Sequence, residues 1–164
     1  MTIAARLSDA TGRFLQLEVV GYEFAIAGGD VNRMGVVEVG GSDANWLMVK
    51  LQAGDGETSW RSVSPALEDY DLPRLVIWLR SLADGLESVD SARGATEPNL
   101  RLVGAVDGPN RVVRVELSQE WRRPGTEIED DPTVLELRVT PTAVLEFAAE
   151  LEETSTRYPM RGLE

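Results

Sequence analysis

Apolar residues recur at every second position in three separate runs, and that period constrains the fold more than any other feature. Leu15, Leu17 and Val19 alternate with Gln16 and Glu18, Leu47, Val49 and Leu51 share one face of a second run, and Val113, Val115 and Leu117 alternate with Arg114 and Glu116. Successive side chains of a strand point to opposite faces, so each run reads as a strand with one buried and one wet face, the habit of antiparallel sheets. Turn chemistry joins these runs to neighbours. Asp9-Ala10-Thr11-Gly12 links strands over 2–8 and 13–22, Asp55-Gly56 links 45–52 to 57–63, and Asp107-Gly108-Pro109-Asn110 links 99–106 to 111–121. A last strand covers 133–139.

Between and after the strands the period changes to that of a helix. Leu72, Leu75, Val76, Leu79, Leu82 and Ala83 form one stripe, with Asp71 expected as N-cap, Pro73 in the first turn and Gly85 as the stop. Ile77 projects nearly opposite that stripe, and we expect a second layer to cover it. Thr140 and Pro141 open a second helix whose stripe is Val144, Phe147, Ala148 and Leu151. The segments 27–42 and 122–132 read as loops, the first with a possible edge strand over 35–39, and 87–96 reads as polar and irregular. The expected architecture is α+β: a twisted antiparallel sheet of about six to eight strands with both helices packed on one face. The 164 residues suit a single domain over 1–164.

Composition then limits the chemistry. The chain holds no Cys and no His. Thiolate nucleophiles, disulfides, Ser-His-Asp triads, Cys-His pairs and typical zinc sites are therefore excluded within it. We expect no enzyme activity, no cofactor and no metal. Net charge is −12, from 28 acids and 16 bases, which disfavours nucleic acid and anionic membranes as partners and favours a basic protein. No apolar run reaches the length of a membrane helix and the N-terminus lacks a signal peptide's pattern, so a cytoplasmic location is expected.

Two acidic groups stand out as partner-binding candidates. Glu127, Glu129, Asp130 and Asp131 crowd a loop whose spacing does not match an EF-hand. Glu146, Glu150 and Glu153 lie on the second helix opposite its apolar stripe, where like charges repel and oppose the helix dipole toward the C-terminal end. Each such repulsion costs only tenths of a kcal/mol. A solvated face and a surface for a basic partner both fit that pattern. Asp43-Ala44-Asn45-Trp46-Leu47 and Glu97-Pro98-Asn99-Leu100 place polar residues just before strands, where Asp and Asn close turns. Asp43 and Glu97 would serve as a carboxylate pair only if the fold brought them together. Of Trp46, Trp60, Trp78 and Trp121, at least two are expected in the core.

These last motifs carry a resemblance. With Leu17-Glu18-Val19-Val20-Gly21-Tyr22-Glu23-Phe24, Trp78-Leu79 and Tyr158-Pro159-Met160-Arg161, in this order and spacing, the chain resembles the WapI-type immunity proteins of bacterial polymorphic-toxin systems. The segments 27–42 and 122–132 depart from that pattern. The resemblance implies a non-enzymatic protein that binds and blocks the toxic domain of an effector in the cytoplasm. Asp43, Asn45, Trp46, Glu97 and Asn99 belong to its motifs, and their positions just before strands suit a structural role. Other readings make different demands. A small-molecule-binding or regulatory domain needs a concave apolar pocket, lined for instance by Trp46 or Trp121. A carboxylate enzyme needs acids converging in a cleft with one raised pKa. An oligomeric structural protein would use Ile77 and the edge strands.

Overall fold

The computed structural model describes residues 3–23, 45–86, 92–94, 99–127 and 131–161. In chain order the elements are β1 (Ala4–Ser8), β2 (Arg13–Tyr22), β3 (Trp46–Asp55), β4 (Ser59–Glu68), α1 (Asp71–Ala83), β5 (Ala92–Gly94), β6 (Leu100–Asp107), β7 (Asn110–Leu117), β8 (Thr133–Val139) and α2 (Pro141–Arg157). The α+β class, the antiparallel pairing and the two helices are those expected. The eight strands divide into two four-stranded sheets, ordered β1-β2-β3-β4 and β5-β6-β7-β8. Each is a meander in which every strand pairs antiparallel with the next.

Register follows from the alternation. Leu17 pairs with Leu51, Val19 with Val49, and Val113 with Leu137, so the apolar rows of adjacent strands align on one side. One continuous buried cluster draws on both sheets and both helices: Leu15, Leu51, Leu102, Val115, Leu75, Leu79, Phe147 and Leu151 all belong to it. The helices lay their predicted stripes into this shared core. Trp60, Trp78 and Trp121 are buried in it and Trp46 is half-buried.

The turns explain the hairpins. Asp9 Oδ1 accepts from the Thr11 N–H at 2.9 Å, the Thr11 hydroxyl at 2.6 Å and the Arg13 N–H at 3.2 Å. Asp55 Oδ1 accepts from the N–H groups of Glu57 and Thr58 at 2.9 and 2.8 Å. Gly12 and Gly56 take φ of 89° and 97° in these turns, a region that costs glycine nothing. Thr140 caps α2 as its type predicts, accepting from the Ala143 N–H at 3.1 Å.

Four expectations are corrected. The cap position of α1 is Tyr70 and makes no side-chain cap bond; Asp71 is the first helical residue, and its Oδ2 reaches back to the Glu68 N–H at 2.8 Å. Ile77 is 67% exposed, because no second layer covers the outer face of α1 among the described residues. The strand opening near Arg111 ends at Leu117, and Gln119–Trp121 is a 3-10 turn entered through Gln119 at φ 57°. Within the supposedly irregular 87–96, residues 92–94 pair with β6 as an edge strand. The segment 27–42, with its possible strand over 35–39, lies outside the described residues.

Candidate partner-binding surface

The outer face of α2 carries the acids that the sequence pointed to. Glu146 and Glu153 are exposed and make no hydrogen bond or ion pair among the described residues. Glu150 sits at the flank, half-buried beside β1, where its Oε1 accepts from the Arg6 N–H at 3.5 Å. That bond covers an open N–H of an edge strand, so Glu150 has a structural task that its neighbours lack. Glu152 belongs to the other flank and forms a bidentate pair with Arg80 of α1, one bond measuring 3.2 Å. The Arg80 hydrogen bonds and charge hold the Glu152 carboxyl below its usual range. With both partners about half exposed, such a pair contributes little to stability. Between the two flanks the crest of α2 exposes Thr142, Leu145, Ala149 and Thr156 beside Glu146 and Glu153, and Leu145 is 44% exposed.

The acidic loop is only partly described. Glu127 and Asp131 are exposed, while Glu129 and Asp130 lie outside the described residues.

The short family-like motifs behave differently, because the fold gathers several of them at one end of the first sheet. Asn45 is buried, and its carbonyl accepts from the Asp69 N–H at 2.8 Å, while the Trp46 carbonyl accepts from the Glu23 N–H at 2.8 Å. The C-terminal segment folds back over this end. The Arg161 N–H donates to Asp69 Oδ2 at 2.9 Å, and the Arg161 guanidinium stacks 3.2 Å from the Tyr22 ring centroid. The Tyr22 hydroxyl donates to the Pro159 carbonyl, and the Tyr22 and Tyr158 rings meet edge to face at 5.5 Å. Tyr22, Asn45, Tyr158, Pro159 and Arg161 therefore form a clasp in which Asn45 and Arg161 hold Asp69, with Trp46 tied to Glu23 beside it. Asn99 is a separate case: it is buried, and its carbonyl accepts from the Ser118 N–H at 2.9 Å. Asp43 and Glu97 lie outside the described residues. The position of Asp69 at the centre of the clasp was missed, since nothing in Glu68-Asp69-Tyr70-Asp71 marks it among other turn acids.

Three of these acids, Glu68, Asp69 and Asp71, are buried. Burial pushes the Asp69 carboxyl above its ordinary value, the Arg161 N–H opposes that rise, and the charges of Glu68 and Asp71 add to it. A raised carboxylate is what acid–base catalysis uses, but a catalytic acid must also reach substrate. Asp69 is 0% exposed and its contacts are with backbone, as is the Asp71 bond to the Glu68 N–H. Three open clefts among the described residues lie elsewhere. One of about 310 Å³ is lined by Phe14, Gln52 and Trp60, one of about 550 Å³ by Arg13, Asp55, Arg123 and Glu136, and one of about 340 Å³ by Pro73, Val76, Ile77, Arg80, Glu152, Ser155 and Thr156. Trp46 and Trp121 line none of the three. Among the described residues, no group of three or more carboxylates is arranged to hold a metal ion, and no helix is long and apolar enough to cross a membrane.

Comparison with known proteins gives one match. The family model described as the immunity protein WapI-like family matches residues 6–159, nearly the whole chain. No curated protein and no solved structure matches.

Proposed function

Because the chain belongs to the WapI-like immunity protein family, we propose that it neutralises a cognate toxin domain by binding it in the cytoplasm, as a single folded unit without chemistry of its own. The family match carries this reading. The surface adds to it: Glu146 and Glu153 stand exposed on α2 without a partner among the described residues, in a protein of net charge −12. A basic toxin domain would meet a field that speeds encounter. Glu127, Glu129, Asp130 and Asp131 are secondary candidates for contact with such a partner. Glu150 and Glu152 are poorer ones, because β1 and Arg80 already engage them.

The test is association kinetics with the toxin domain encoded beside this gene, over a series of salt concentrations. The wild type should bind, and its association should slow as salt rises. Reversing two charges with Glu146→Lys and Glu153→Lys should slow association about tenfold and flatten the salt dependence, with far-UV circular dichroism unchanged. An unaltered association rate would remove α2 from the interface. Failure of the folded wild type to bind would remove the immunity reading itself.

A further inference from the structure

The exposed face of α1 and the groove beside it are unexplained by charge. Ile77 is 67% exposed, the largest exposure among the large apolar side chains of the described residues, and it stands where an isolated helix stripe would have turned polar. It forms one wall of the 340 Å³ groove with Pro73 and Val76, while Glu152, Ser155 and Thr156 of α2 form the opposite wall and the Arg80–Glu152 pair spans it. Beyond that wall lies the crest of α2, where Leu145 is roughly 16 Å along the axis from Thr156. Glu146 and Glu153 stand on this crest beside Thr142 and Ala149, on the side away from the groove.

From these we infer that the α1–α2 groove is the apolar anchor site of the interface, and that it receives an apolar side chain carried on a cationic segment of the toxin domain. The inference rests on the immunity reading and deepens it. An interface of standard size covers about 800 Å² on each partner, enough to span groove, crest and acids together. Within such a footprint the short side chains of Thr142, Ala149 and Thr156 let a partner approach closely, and the apolar wall supplies the desolvated centre that tight interfaces need. The carboxylates of Glu146 and Glu153, at the rim, select a cationic partner. They also argue against a second copy of this chain as occupant, since pairing two such faces would oppose like charges.

Equilibrium and kinetic binding of the same toxin domain to Ile77→Asp and Ile77→Ala tests this. Because the side chain projects into solvent, both variants should keep the wild-type thermal midpoint. Ile77→Asp should weaken binding about thirtyfold, mostly through faster dissociation, with Ile77→Ala intermediate. The double charge reversal on α2 should act mainly on association. Wild-type binding left intact by Ile77→Asp would overturn the groove while leaving the immunity reading in place. No binding by the wild type would overturn both. A dimer seen by sedimentation of the free protein and dispersed by Ile77→Asp would make a second copy the occupant and overturn the proposal.

Discussion

At Gly104 the absence of a side chain brings helix and sheet together. A Cβ built on this β6 residue would lie 2.9 Å from Trp78 Cζ2 and 3.0 Å from Leu82 Cδ1, both on α1. Real Cβ atoms do not approach that closely, so any larger residue must push the helix away or drive Trp78 off its rotamer. Neither is easy, because Trp78 and Leu82 are buried in a filled core. Gly104→Val should therefore destabilise the fold by about 1–3 kcal/mol, read as a lower urea midpoint at unchanged slope. A neutral outcome would mean that α1 shifts freely over the second sheet. Nothing in Val103-Gly104-Ala105 announces this role. A strand glycine marks a close approach somewhere, but the neighbour it admits belongs to an element some 20 positions away. Asn45 and Asp69 have the same character. Their types are those of turn residues, and only the fold makes them the inner partners of a clasp.

At the scale of elements, local pattern and distant contact part company. The alternation in β2, β3 and β7 was legible because each strand has one buried face, and the stripes of both helices were legible for the same reason. Thr140 was legible as a cap because capping is settled within four residues. The division into two sheets was not, since hairpin signals fix neighbours in a meander but leave open where the next sheet begins. Nor was β5, whose three residues are too few for any period. The end of α1 belongs with these. Gly85 was read as its stop, yet the last turn is also held by Arg111 of β7. Its Nε donates to the Leu82 carbonyl at 2.7 Å and its Nη2 to the Ala83 carbonyl at 3.0 Å, and Nη1 also donates to the Asn110 carbonyl at 2.9 Å. A cation there satisfies the Ala83 carbonyl, adds a second bond to the Leu82 carbonyl that the Gly85 N–H already reaches, and complements the negative end of the helix dipole. Arg111→Met keeps much of the stem's packing and removes those donors. It should cost about 2–3 kcal/mol and raise hydrogen exchange at the end of α1 more than in α2. Equal loosening of both helices would show that Arg111 supports the core at large and not this terminus. Of the partner-binding candidates, the exposure of Glu146 and Glu153 followed from helical period, whereas the engagement of Glu150 by β1 did not, because the pairing is between residues at opposite ends of the chain.

Across the whole molecule, charge and burial set opposite demands on the acids. The chain carries a net −12, and most of its described carboxylates are exposed, while Asp69 is enclosed where the first sheet, the start of α1 and the C-terminal segment meet. Enclosure opposes its ionisation more than the Arg161 N–H and guanidinium favour it, so its folded value stands above the ordinary 3.8. A carboxyl whose folded value is raised binds its proton more tightly when folded than when unfolded. The folded state is then favoured at low pH and loses stability as pH rises from 3.8 through the folded value. The turn acids Asp9 and Asp55 behave in the other sense. At Asp9 burial pushes the value up, but bonds from Thr11 and Arg13 outweigh it; at Asp55 the Thr58 and Glu57 N–H groups lower it directly. Both contribute stability above 3.8 that is lost as pH falls through their folded values. The raw pH profile mixes these opposed contributions, and comparison with Asp69→Asn separates them. That variant keeps an oxygen for the Arg161 N–H and cannot ionise. Between pH of about 3 and 7 its thermal midpoint should rise relative to that of the wild type, because only the wild type must pay for the buried charge. A variant that instead falls behind the wild type as pH rises would show that the attraction to Arg161 outweighs burial. In that case the clasp on the C-terminal segment is an ion pair first and a hydrogen-bonded seal second.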